Sequence, residues 1–421
     1  MLYYSHQRKK GTSILQRRNI NLRVVRDAKR NAETDTGDDL QQEFMEMVML
    51  RRVKSRKKIM MGFFAFAAVI IAIVLVIYLQ TYTKVRVSDT YAVGNASDNN
   101  YEEFAKGVLK YSRDGISYLN QKGEEQWNQP YQMKNPFVEV NSKSAAVADK
   151  GGNDIMVFGK EGTKGEIRTT LPIEKIAVSD QGIVAAVLKN ESAPKIICYD
   201  TAGNILVEHK ASLTGTGYPL DIALSADGMV MQVVYLSVGE AEAVSKVCYY
   251  NFGEAGESKP DHLVMEKEYK GSILGSGFYM GGSTSAVVGD NCLTIFNGKD
   301  VPKENVSVSV KGEIQCLFYN EKYIGMIIKP GTKSGYELCL YNTSGKKVFS
   351  QEINSTYKSA KVSGSQIILY DGKKCSIYSR MGLHLFEGAM DHNILEIFPT
   401  SGVNKYIVMN ANGMENVRLV K

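Results

Sequence analysis

The sequence predicts an all-β repeat fold behind one membrane-spanning helix, and two observations carry that reading. The first is a unit of about 43 residues that recurs through most of the 421-residue chain. GISYLNQKGEEQWNQ, KIICYDTAGNILVEH, ELCLYNTSGKKVFSQ and CSIYSRMGLHLFEG are its clearest copies. Each is an apolar strand ending in an aromatic residue or Leu, then a polar turn, then another strand. The second observation is a run of 25 residues, 59–83, without one charge.

Aligned on the last apolar residue of the leading strand, the markers fall at Leu119, Phe158, Tyr199, Tyr250, Phe296, Tyr341, Tyr378 and Leu419. Gly123, Gly162, Gly203, Gly345 and Gly382 follow four residues after their markers. Glycine at a fixed turn position supplies the positive φ that tight hairpins require. SAAVAD, GIVAAVL, YIGMIIK and SQIILYD add an upstream apolar strand, which makes about four strands per unit. Four strands in 40–45 residues is the pattern of a β-propeller blade. A β-sandwich lacks so long a period, a β-helix repeats faster, and an α-solenoid needs helical periodicity. Only NNYEEFAKG, at 99–107, has helical character in this region. Eight units predict eight blades, or seven if the two partial ends fuse into one. KVRVSDTYAV at 84–93 is the segment available to complete the ring.

The uncharged run exceeds the roughly 20 helical residues that cross a ~30 Å hydrocarbon core. Tyr78 and Tyr82 stand at its end, where amphipathic rings suit the headgroup layer. Residues 51–58 (RRVKSRKK) hold six cations and no anion, so the N-terminus is expected in the cytoplasm and residues 84–421 outside. The run is too long and too far from the N-terminus for a cleaved signal peptide, and it is read as a permanent anchor. The expected plan is a disordered basic tail at 1–38, a juxtamembrane helix at 39–58 and a transmembrane helix at 59–82. A linker or closing strand at 83–106 and the propeller at 107–421 complete it. The juxtamembrane stretch carries an apolar stripe of Leu40, Phe44 and Val48. It either extends the membrane helix or docks on anionic lipid or a cytoplasmic partner.

Charge is divided sharply. Residues 1–58 carry a net +8 and residues 59–421 a net −2. A basic excess confined to one end excludes a nucleic-acid binder. All six cysteines lie beyond the anchor. Cys198, Cys248, Cys292, Cys339 and Cys375 occupy the same strand of different units, too far apart for a bridge. Cys316 sits two strands from Cys339, roughly 9–10 Å away, and all six are read as small core residues.

No catalytic, cofactor or metal site emerges from spacing. His209, His262, His384 and His392 are dispersed, with no HExxH. Asp221, Asp227 and Asp391 read as loop acids with no EF-hand pattern. Ser355–Lys358, Ser97–Asn99 and Lys333–Gly335 mimic fragments of a penicillin-binding serine site, but in the wrong order, with two of them read in β-hairpins. GSGFYMGG at 275–282 lacks the spacing and the following helix of a dinucleotide site.

The basic tail, the anchor, VLKYSRDGISYLNQKGEEQWNQPY and the YDTAGNIL-type hairpins together resemble an uncharacterised Firmicutes (clostridial) family of membrane-anchored, propeller-like domains of unknown function. More distantly the repeats resemble quinoprotein-like and WD40-like propellers, although Trp127 stands alone where quinone-dependent members carry many tryptophans. The resemblance implies a Gram-positive bacterium and brings no activity with it. In such a source the Asn-x-Ser/Thr matches at Asn95, Asn190, Asn305, Asn342 and Asn354 carry no glycosylation meaning.

The functional expectation is a non-enzymatic module of the cell envelope, anchored in the cell membrane, that binds a protein or glycan and needs no cofactor. The alternatives are an envelope hydrolase or lyase with an axial site, and a transmembrane sensor. Protease added to intact protoplasts is expected to digest residues 84–421 and spare the first fifty; protection of 84–421 would reverse the orientation.

Overall fold

A computed structural model describes residues 37–78, 81–92, 99–211, 215–238, 243–331, 334–400, 402 and 404–421, with backbone alone at 37–43, 51–58, 74 and 77–78. The chain divides into two units, 1–79 and 80–421. In the first, Gly37–Tyr78 form one continuous α-helix. The expected segments at 39–58 and 59–82 are therefore one element as far as Tyr78, while Thr81 and Tyr82 stand outside the helix and belong to the second unit. The tail expected at 1–38 lies outside the described residues up to position 36, and Gly37 and Asp38 already belong to the helix. Among the described residues no helix is long and apolar enough to cross a membrane.

The second unit is an eight-bladed β-propeller, eight sheets of four antiparallel strands each. Blades 1–7 take their strands in chain order from residues 100–130, 136–168, 173–210, 218–270, 274–309, 313–353 and 359–389. Blade 8 is composite. Its three inner strands are Glu396–Pro399, Lys405–Asn410 and Gly413–Val420, and its outermost strand is Lys84–Tyr91. The pairing runs from Lys84↔Val420 to Tyr91↔Met414. Strands more than 320 residues apart thus close the ring, and the third strand of blade 8 is paired on both sides. Just before this strand, Tyr82 N donates to Leu385 O at 2.8 Å and Thr81 Oγ1 to His384 O at 2.7 Å, pinning the entering chain to blade 7.

Burial explains why the repeat was visible. Second strands such as Ala145–Asp149 and Val184–Leu188 are buried at every position, because adjacent blades cover both faces. They read as apolar runs. Fourth strands such as Glu125–Pro130 and Ile205–Lys210 alternate between half-buried and exposed, because only one face meets a neighbour. All eight markers lie in third strands. In blades 1–7 the ladder between third and fourth strands shifts register at the marker itself. In blades 1–3, 6 and 7 that bulge is followed by the turn glycine, which has φ of 76° at Gly123 and 82° at Gly203. At Leu419 no hairpin follows, and no bulge occurs there.

NNYEEFAKG is not helical: Asn100–Phe104 form the first strand of blade 1 and pair with Gly107–Tyr111. Glu, Phe, Ala and Lys give the segment local helical propensity, and pairing within the sheet overrides it. The cysteines are all free, and all but the half-buried Cys316 are buried. Burial pushes the thiols of Cys198, Cys248 and Cys375 up to about 12.

Blade contacts leave little slack. A Cβ on Gly165 would stand 1.8 Å from Thr201 O in the next blade. Backbone cannot yield as a side-chain tip can, so Gly165→Val is expected to cost at least about 2 kcal/mol by overpacking. Gly282→Ala, with nothing within 4 Å of its Cβ, should be near neutral. Chemical denaturation of both variants checks the contrast.

Candidate functional site

First strands of neighbouring blades contact one another around the axis. In blades 3–6 each has a register shift against its second strand, between Ile173 and Lys175, Pro219 and Asp221, Leu274 and Ser276, and Ile314 and Cys316. Blades 7, 8, 1 and 2 pair there without interruption. A bulge re-aims the side chains beside it. Here Lys175 Nζ reaches Asp221 Oδ1 at 3.0 Å, while Asp221 Oδ2 accepts from Gly277 N at 3.0 Å and Ser276 Oγ at 3.3 Å. On the regular side Lys361 Nζ meets Glu396 Oε1 at 2.7 Å and stands 3.8 Å over the Phe398 ring.

Between these two ion pairs lie Glu102 and Glu139, from the first strands of blades 1 and 2. Burial first, then the charge of Glu396, raises the Glu102 carboxyl to about 7, against the opposing pull of Lys361. Burial first, then Asp221 and Glu102, raises Glu139 to about 7, with Lys175 opposing. Glu139 is solvent-exposed even so, as is Tyr319 at 44% exposure. The Tyr319 hydroxyl is pushed above its ordinary range by burial and by Glu139, Asp221 and Glu102. Tyr111 is raised to about 12 by burial and then by Glu102, Glu139 and Glu396. The axis therefore holds four carboxyls and two ammonium groups, with protons retained near neutral pH. Carboxyls whose environments differ in this way are equipped to hold and transfer protons. Among the described residues no group of three His, Cys, Asp or Glu side chains has the geometry to hold a metal.

Asp221 is thus not a loop acid: it belongs to the first strand of blade 4, Tyr218–Leu224. The sequence hid it because a lone acid in an apolar run carries no spacing signal. Asp227 is a turn residue, accepting from Ser225 Oγ at 2.7 Å, and Asp391 is in the connection before blade 8. The histidines are engaged in packing. His209 lies 4.6 Å from the Tyr250 ring, with its pKa lowered by burial. His384 stacks on Tyr378 at 4.5 Å and bonds Ser376 Oγ at 2.9 Å through Nε2. His392 meets Glu415 at 3.1 Å in blade 8, and His262 ends the short insertion in blade 4. Ser355–Lys358 stand in the connection between blades 6 and 7 rather than in a hairpin. Ser97, Asp98 and Lys333 lie outside the described residues.

The pH dependence of stability tests the axial cluster. The unfolded chain ionises Glu102 and Glu139 near 4.5 and the folded one near 7, so between these values the native state holds more protons. Stability is then lost as pH rises through that window. Glu102→Gln and Glu139→Gln should each flatten the fall of the thermal midpoint between pH 5 and pH 8. An unchanged slope in both would show that the two carboxyls titrate normally.

Comparison with known structures agrees with the architecture. Sqt1 of Saccharomyces cerevisiae is 11% identical, with a TM-score of 0.50 over 81% of this chain and 100% of that one. The computationally designed Ika8 protein is 12% identical, with a TM-score of 0.51 over 78% of this chain and 98% of that one. BamB from Moraxella catarrhalis is 10% identical, with a TM-score of 0.48 over 80% and 100%. At such identities the likeness is one of fold alone. A search of curated proteins returns no match. The model of a family of unknown function, DUF5711, matches residues 78–419, and the chain belongs to that family.

Proposed function

We propose that the propeller is a protein-binding scaffold of the cell envelope, held at the outer surface of the cell membrane by residues 59–82. The observation that carries the binding role is a constant frame with variable loops. The turns joining second to third strands are two residues long at 113–114, 290–291 and 372–373, four at 150–153 and six at 189–194. The strands themselves are consumed in blade packing, while loops on a rigid frame are free to specify a partner. These turns lie at the opposite end of the strands from Lys84, where the chain enters blade 8. The uncharged run at 59–83 and the six cations before it support the anchor and its orientation. The reading includes a Gram-positive source and a protein or glycan partner outside the cell.

A second reading is an axial hydrolase or lyase, favoured by the raised carboxyls of Glu102 and Glu139. Photo-crosslinkers at Glu191 and Asp114, on the variable turns, and at Glu208, on an outer strand, separate the two in native membranes. The scaffold reading expects one discrete adduct from the turn positions, none from Glu208, and no effect of Glu102→Gln or Glu139→Gln on any glycan or peptide. Turnover of an envelope substrate that both variants abolish would replace it with the second reading.

A further inference from the structure

We propose that the seam between blades 8 and 1 binds a phosphate-bearing anion. A cavity of about 600 Å³ opens there, within the size range of small-ligand sites. Lys106, Lys122, Lys160 and Lys405 line it against one carboxylate, Asp89. The four lysines come from three blades and all are exposed. Where lysines of the propeller do line a carboxylate they are neutralised by it, as in Lys175–Asp221, Lys246–Glu266, Lys267–Glu304 and Lys361–Glu396. Among the described residues none of the four seam lysines makes an ion pair. Two further acids lie close by: Glu124 is taken by Asn120 Nδ2 at 2.7 Å, and Glu161 acts on the Tyr118 hydroxyl. Unneutralised like charges around a cavity attract an anion.

Two backbone irregularities converge on the same cavity. The hairpin after the first strand of blade 1 turns through Ala105 and Lys106, with φ of 47° and 65°. Both residues of this two-residue turn are left-handed, a conformation that Asn-Gly adopts at little cost and Ala-Lys does not. The equivalent turn in blade 7 uses Gly364 at φ 59°. Tyr118 OH donates to Ala105 O at 3.0 Å and holds the strained turn over the cavity. The second irregularity is the register shift between Val87 and Asp89, which leaves Ser88 bulged from the closing strand into the lining. Lys160 is fixed from behind, its carbonyl accepting from Trp127 Nε1 at 2.9 Å. Strain retained at a site where lysines gather points to a ligand role for the turn.

The donor set selects the ligand class. Four ammonium groups without a guanidinium suit a tetrahedral anion with several oxygens better than a planar carboxylate. The cavity leaves room for the alcohol part of an ester. Soluble phosphate esters and lipid headgroups share that chemistry, and the experiment separates them.

Full-length protein in nonionic micelles is titrated at low salt with glycerol 3-phosphate, with phosphatidylglycerol added to the micelles, and with succinate. The proposal expects salt-sensitive binding of one or both phosphate compounds, weakened at least about tenfold by Lys106→Ala combined with Lys405→Ala. Lys210→Ala with Lys270→Ala, outside the seam, should leave it unchanged. Lys106→Gly relaxes the turn, so it should raise the thermal midpoint while weakening binding, which distinguishes a lost ligand contact from a lost fold. Binding of glycerol 3-phosphate identifies a soluble ester as the source; binding of phosphatidylglycerol alone identifies a headgroup. No binding of either, equal binding of succinate, or full binding by the double lysine variant overturns the proposal.

Discussion

The ladder between residues 84–91 and 413–420 is the constraint on which the rest of the propeller depends. Seven blades form from contiguous sequence, and the eighth needs a strand from the far end of the unit. Without it Val417 and Leu419 would lose the partly buried Val85 and Val87 packed against their cluster, and the third strand of blade 8 would present an unpaired edge. The entropic cost of bringing distant ends together grows only logarithmically with the length between them. A ladder of modest length can therefore hold a large ring. Pinning of Thr81 and Tyr82 to blade 7 extends the closure beyond its own sheet.

Closure also decides where polar chemistry can stand. Second and third strands are covered on both faces along most of their length, and among the described residues Asp149 and Glu415 are the only charged side chains buried. Along the axis, first strands have neighbours on either side but an open inner edge, so charges there are crowded without being dry. Lys175 and Lys361 each neutralise one carboxyl, and Glu102 and Glu139 respond by keeping their protons to higher pH. At the seam the balance is reversed, with lysines gathered and acids few. The two regions have opposite sign, and each is built from blades on both sides of a boundary.

The repeat was legible because a blade imposes one pattern eight times. Marker residues, turn glycines and apolar second strands recur at fixed positions, and the eight markers all lie in third strands. The segment at 84–93 was recognisable as a candidate for closure because the last unit ended one strand short. The axial cluster was not legible. Glu102, Glu139, Lys175, Asp221, Lys361 and Glu396 are one residue per blade, separated by 35 or more residues, and each looks like an ordinary polar position in its own strand. Glu102 was further concealed by a segment with helical propensity. The seam was hidden for a different reason: nothing in Ala105-Lys106 signals positive φ, since the residues that usually reveal such a turn are absent.

Native-state hydrogen exchange of the full chain tests ring closure by the N-terminal strand most directly. The account predicts that hydrogen-bonded amides of 84–91 and 413–420 exchange with the same free energy of opening as the buried third strands of blades 2–5, because the ring opens as a unit. Rapid, independent exchange of 84–91 while blades 1–7 stay protected would contradict it, and would show a propeller that holds together without its closing strand.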